Sequence, residues 1–171
     1  VENSSTPLEL LADGTRSDRF PPPAENWLGP YPSIASDGRV IWASTRYPGG
    51  IDPGPPTGQL LISGVGSVFS TRGYVGFYAD LNRGGSFVYE NGGQIHLNNQ
   101  PLATGRFPSI NDAPRDNPDI VFVDGTVLVS TLSGPLRDRF GNGLTGSWVD
   151  IIRSGGIVFE QQKDGVYQIF K

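Results

Sequence analysis

The sequence predicts an all-β fold, a four-bladed β-propeller with a pseudo-twofold repeat and an N-terminal strand that closes the last blade. Three observations predict it: an apolar strand triplet that occurs four times, a glycine-led strand after each triplet, and a Pro-Leu pair that marks short outer strands. The 171 residues include 24 glycines and 15 prolines beside an aromatic share of 11%, so the chain is turn-rich and still able to pack. That length fits one domain with its own core.

The triplets are Val40-Ile41-Trp42, Phe87-Val88-Tyr89, Ile120-Val121-Phe122 and Ile157-Val158-Phe159, each β-branched or aromatic as a buried strand requires. The glycine-led strands are Gly58-Gln59-Leu60-Leu61-Ile62, Gly93-Gln94-Ile95-His96-Leu97, Gly125-Thr126-Val127-Leu128-Val129 and Gly165-Val166-Tyr167-Gln168-Ile169, and each makes a hairpin with its triplet. Outer strands follow at Pro101-Leu102 and Pro135-Leu136, with Ser67-Val68 in the equivalent place; proline is tolerated where an edge strand has a free N–H side. The inner strands are Pro32-Ser33-Ile34, Ala79-Asp80-Leu81, Pro108-Ser109-Ile110 and Val149-Asp150-Ile151.

The fourth repeat ends at Lys171 without an outer strand, whereas Pro7-Leu8-Glu9-Leu10-Leu11 carries the Pro-Leu signature before any repeat begins. Pairing Pro7–Leu11 with Gly165–Ile169 is expected to close the ring and remove two exposed edges. The whole chain, 1–171, is thus read as a single propeller domain. Its parts are a closing outer strand at 1–12 and blades at 28–72, 73–105, 106–140 and 141–171. Residues 80–90 align without a gap on 150–160, and Pro32-Ser33-Ile34 matches Pro108-Ser109-Ile110, so a two-blade unit occurs twice.

The cadence of Pro-Ser-Ile, then Asp or Asn with Gly, then Val-x-Phe resembles the repeats of bacterial extracytoplasmic β-propellers of the TolB-like kind. The resemblance covers the chain from about Pro32 onward and implies a binding or scaffold module. It brings no catalytic residue with it, and four repeats depart from the six or seven common in such proteins. In blade count alone the chain resembles the four-bladed hemopexin architecture.

Charge and composition exclude several function classes. The net charge of −4 and the scatter of 11 arginines and 2 lysines leave no basic field for nucleic acid. With no cysteine there is no disulfide framework and no thiolate ligand or nucleophile. No apolar run approaches the roughly 18 residues of a membrane span. The start at Val1, without Met or an apolar leader, reads as a processed or excised product, and an extracytoplasmic or secreted location is expected.

Candidate site residues follow from the repeat. Asp80 and Asp150 fall on inner strands of opposite blades, with Ser33 and Ser109 at the matching positions, so a Ser, Asp, Ser, Asp ring is expected around the channel. Such oxygens suit calcium, which takes six to eight of them; the alternative is hydrogen bonding from a neighbouring blade, through Arg83 or Arg153. In the proline-rich loop from Pro21 to Tyr31, Trp27 and Tyr31 are placed to stack on a sugar ring while Glu25 and Asn26 grip hydroxyls, and Tyr47 in the insert from Arg46 to Pro56 joins them. The alternative is that Trp27 pins its loop to the fold. Trp42 and Trp148 are expected in the core.

Asp112, Asp116 and Asp119 crowd one loop but lack the spacing of a calcium-binding helix-loop-helix, and Asx turns explain them as well. His96 has neither cysteine nor nucleophile partner and reads as structural. Asn3-Ser4-Ser5 matches the glycosylation sequon. The function expected is a non-catalytic extracytoplasmic binding module that presents loops of one face to a glycan or protein. Two alternatives stand beside it: a propeller glycoside hydrolase using paired carboxylates, and a structural repeat unit of a larger surface protein.

Overall fold

A computed structural model of the chain describes residues 27–28, 33–35, 37–45, 59–64, 67–113, 117–152 and 155–171. Regular structure among the described residues is all strand, and it forms four antiparallel sheets, none of which closes on itself. The chain divides into two compact units, Val1–Ala79 and Asp80–Lys171. No described helix is long and apolar enough to cross a membrane.

In the first unit, β1 (Trp27–Leu28), β2 (Ser33–Ile34), β3 (Val40–Thr45), β4 (Gln59–Gly64) and β5 (Ser67–Val75) make one sheet in the order β1-β3-β4-β5, with β2 also paired to β3. The expected hairpin of triplet and glycine-led strand is present, with Ile41 opposite Ile62 and Trp42 opposite Leu61. Ile41 and Leu60 are fully buried. One expectation needs correction: Trp27 and Leu28 are strand and not irregular loop, pairing with Thr45 and Ser44 of β3. A two-residue strand among prolines carries no periodicity, and only its partner strand defines it.

The division between units falls inside β6 (Phe77–Leu81). This strand opens the sheet β6-β7-β8-β9, completed by β7 (Phe87–Asn91), β8 (Gln94–Leu97) and β9 (Gln100–Thr104). Next come β10 (Arg106–Ile110), β11 (Ile120–Asp124), β12 (Val127–Ser130) and β13 (Gly134–Pro135), and finally β14 (Trp148–Ile151), β15 (Ile157–Lys163) and β16 (Val166–Phe170). Each of these three sheets is a meander in chain order.

The core of the second unit follows from strand alternation. Val121 and Val123 of β11 enter one cluster with Leu128, Val149, Ile151 and Phe159. Ile120 and Phe122, pointing the other way, enter a second with Val88, Ile95 and Ile110. Because β11 is buried on both faces, the β10–β13 sheet lies between two apolar layers, and each fully buried aliphatic side chain contributes about 1.5–3 kcal/mol relative to exposure.

A backbone hydrogen bond closes the end of every inner strand, over four residues in three of them and over eight after β10. The N–H groups of Ala35, Asn82, Asn111 and Ile152 donate to the carbonyls of Arg39, Ser86, Asp119 and Gly156 at 2.8, 3.0, 3.1 and 2.8 Å. Three of these turns also share a second bond, in which Gly38, Gly85 and Gly155 donate back to Ala35, Asn82 and Ile152. Those three glycines have φ of 84°, 85° and 88°, a left-handed conformation that glycine adopts without strain. The alignment of 80–90 on 150–160 thus has a structural counterpart, since between their strands Asn82 and Ile152 make the same pair of backbone hydrogen bonds.

Among the described residues the last sheet has three strands, and its edge strand β16 exposes Val166, Tyr167 and Ile169 by 60, 62 and 67%. The expected closing strand, Pro7–Leu11, lies outside the described residues.

Candidate functional site

The inner strands place one polar residue each at a common register. Ser109 on β10 lies opposite Val121, Asp150 on β14 opposite Val158, and Ser33 on β2 opposite Ile41, in every case the middle residue of the apolar triplet. Asp80 takes the same place in β6, two residues before its turn residue Asn82, as Ser109 stands two before Asn111. Ser33 belongs to the first unit; the other three belong to the second, where they meet.

Ser109 is buried and its Oγ stands between the two carboxyl groups, 2.7 Å from Asp80 Oδ2 and 2.5 Å from Asp150 Oδ1. The Ile151 N–H donates to the same Oγ at 3.2 Å. Asp80 is further held by backbone, its Oδ1 accepting from the Leu81 N–H at 2.8 Å and its Oδ2 from the Ile110 N–H at 2.9 Å. Burial lifts the Asp150 carboxyl above its ordinary pKa; the Ser109 hydrogen bond opposes that rise and the nearby Asp80 charge adds to it. The donors shown at Asp80 are thus serine and backbone groups. Among the described residues no group of three or more His, Cys, Asp or Glu side chains could hold a metal ion.

A second feature lies in the loop after β13. Asp138 Oδ1 accepts from the Phe140 and Asn142 N–H groups at 2.8 and 2.9 Å, and its Oδ2 accepts from Asn142 Nδ2 at 2.9 Å. Arg137 Nη1 donates to the Gly141 carbonyl at 2.7 Å, and Arg137 bridges to Gly143. The Asn142 side-chain bond, with the backbone donors behind it, holds the Asp138 carboxyl below its ordinary pKa. This bracing presents Phe140 to solvent, 74% exposed, with the Arg139 guanidinium carbon 4.7 Å from the ring centroid.

Of the residues read as ligand contacts, Trp27 lies on β1, while Glu25, Asn26, Tyr31 and Tyr47 lie outside the described residues. Asp112 accepts from the Arg83 N–H, Asp119 accepts from Ser130 Oγ at 2.7 Å, and Asp116 lies outside the described residues. His96 stacks on Tyr89 with centroids 4.9 Å apart, and its buried Nδ1 meets no hydrogen-bond partner among the described residues.

Sequence reasoning missed two signals. An aromatic residue stands two positions before each inner-strand polar residue: Tyr31, Tyr78, Phe107 and Trp148 precede Ser33, Asp80, Ser109 and Asp150. Tyr78 and Phe107 adopt φ of 50° and 52°, left-handed for bulky residues, and the β10–β11 register shifts beside Phe107. The other miss is Phe140, flanked by Arg139 and by Gly141-Asn142-Gly143, a stretch that reads only as a turn. No protein-family model, curated protein or solved structure matches the chain.

Proposed function

We propose that the chain is a non-catalytic extracytoplasmic binding module, a four-bladed propeller that recognises a glycan or protein ligand through loops on one face. The observation that carries the binding reading is the Arg137–Gly143 loop. A solvent-facing phenylalanine with a guanidinium against its ring, in a loop braced by four hydrogen bonds of the Asp138 and Arg137 side chains, is an ordered contact point that loses little entropy on binding. The propeller reading is supported by four antiparallel sheets, three of whose inner strands end in the same pair of backbone hydrogen bonds. Its last blade is completed by Pro7–Leu11 on the exposed β16 edge. The TolB-like cadence of the repeats supports the extracytoplasmic placement.

The hydrolase alternative is disfavoured by the paired carboxylates themselves. A glycosidase needs the glycosidic bond between its two acids, and here the Ser109 hydroxyl occupies that position, in contact with both. The test of the binding reading is a glycan array probed with labelled protein, with Phe140→Ala alongside. A glycan-dependent signal that falls about tenfold in the variant, with unchanged melting, is expected. Equal signals from both proteins, or none from either, would overturn the glycan reading.

A further inference from the structure

The contacts of Ser109 require one more proton than serine owns. A hydroxyl has one proton and two lone pairs. The Ile151 N–H uses one lone pair. The hydroxyl proton serves one carboxyl, which leaves the second carboxyl oxygen facing the remaining lone pair at hydrogen-bond distance. Two acceptors that close repel each other, so the contact becomes a hydrogen bond only when that carboxyl carries a proton of its own.

Asp80 is the acceptor of the two, since the Leu81 and Ile110 N–H groups both donate to it, whereas the Ile151 N–H alone among backbone groups is shown acting on the Asp150 carboxyl. We infer that Asp80, Ser109 and Asp150 form a proton-sharing junction: the Asp150 carboxyl donates to Ser109 Oγ, Ser109 donates to Asp80, and the bond chain joins β6, β10 and β14 while that one proton is retained. Its loss places two negative charges against one hydroxyl that can satisfy only one of them, and the junction becomes a pH-sensitive latch between inner strands.

Burial and the Asp80 charge favour the protonated form of Asp150. The charged groups on the elements packed here are Asp80 and Asp150 at the junction, Arg106 on β10, Glu90 on β7, Asp124 on β11, and Glu160 and Lys163 on β15, with Arg83, Asp112 and Asp119 in adjoining turns. Arg106 acts on Glu90, Asp112 takes the Arg83 N–H, Asp119 is bound by Ser130, and Glu160 lies opposite Trp148 rather than Asp150. A group whose folded pKa is raised stabilises fully below its unfolded pKa and loses that contribution as pH rises through the folded value. The latch therefore weakens with rising pH, beginning above the ordinary 3.8 of aspartate.

The test is an NMR titration of aspartate carboxyl carbons in the full chain. One resonance is expected to titrate above the ordinary carboxylate range, to be missing in Asp150→Asn, and to move to lower pH in Asp80→Asn, which deletes the neighbouring charge. Aspartates that all titrate in the ordinary range, or a high-titrating resonance that survives in Asp150→Asn, would overturn the inference. A second measurement needs no variant: the urea midpoint of the unaltered protein is expected to fall as pH rises through that same titration, and a midpoint without that inflection counts equally against the latch.

Discussion

Asn82 Nδ2 donates to the Asn111 carbonyl at 3.1 Å, tying the turn after β6 to the end of β10 from a fully buried position. Its Oδ1 accepts from the Ser86 N–H at 3.0 Å, so one side chain serves both its own turn and the neighbouring strand end. Asn82→Ala leaves a buried N–H and a buried carbonyl without these partners, at a cost of about 1–3 kcal/mol for each group left unsatisfied. Urea unfolding is expected to show a lower midpoint with an unchanged slope. A variant as stable as the parent would mean that the two sheets do not depend on this tie.

Gly105 is a position of close approach. A Cβ there would stand 2.5 Å from Phe122 Cδ2 and 2.9 Å from the Val123 carbonyl oxygen. Phe122 is buried in the cluster with Val88, Ile95, Ile110 and Ile120, so its ring has little room to yield. Gly105→Ala is expected to destabilise by about 1–3 kcal/mol, the usual cost of overpacking a filled core. The control is Gly125→Ala, where the added methyl meets no atom within 4 Å and the cost comes from its φ of 61° alone.

Glu90 supplies a second pH dependence of the same sign. Burial pushes its carboxyl above the ordinary pKa, opposed by the Phe107 N–H, which donates to Oε2 at 3.4 Å. Because the folded pKa is the higher one, the contribution is present below the unfolded value of 4.5 and is lost as pH rises through the folded value. Glu90→Gln removes the titration. Its stability relative to the parent is expected to improve from about pH 4 to about pH 8, and a pH-independent difference between the two proteins would argue against this assignment.

The proposed closure makes a truncation informative. Removing residues 1–12 is expected to lower stability by several kcal/mol and to promote self-association, because β16 then keeps Val166, Tyr167 and Ile169 on a strand edge without a partner. Melting and sedimentation of the truncated chain check both effects. Unchanged melting would overturn the proposed closure.

The inner strands and hairpins were legible because each apolar triplet is bounded by Gly or Asp turn residues, and the register around Ser33, Ser109 and Asp150 follows that punctuation. Trp27–Leu28 was not legible, since its strand character comes from Ser44 and Thr45 and not from its own neighbours. The repeat also indicated that Asp80, Ser109 and Asp150 are equivalent. That one hydroxyl touches both carboxyls was not indicated, because alignment reports position along a strand while the proton count depends on distances across strands. The aromatic residue two places earlier was printed in all four repeats. The left-handed backbone at Tyr78 and Phe107 was not legible, because bulky residues adopt positive φ rarely and no residue type at those positions marks it.

The meander order of the second unit bears on how the protein is made. Every strand pairing from β10 to β16 joins segments adjacent along the chain, so the loops to be closed are short and cost little chain entropy. Hairpins of this kind are local contacts and are expected to form ahead of the contacts that join one sheet to the next. Asp80 precedes Ser109 by 29 residues and Asp150 follows it by 41, so the junction is complete only once the inner strand of the last sheet has joined the other two.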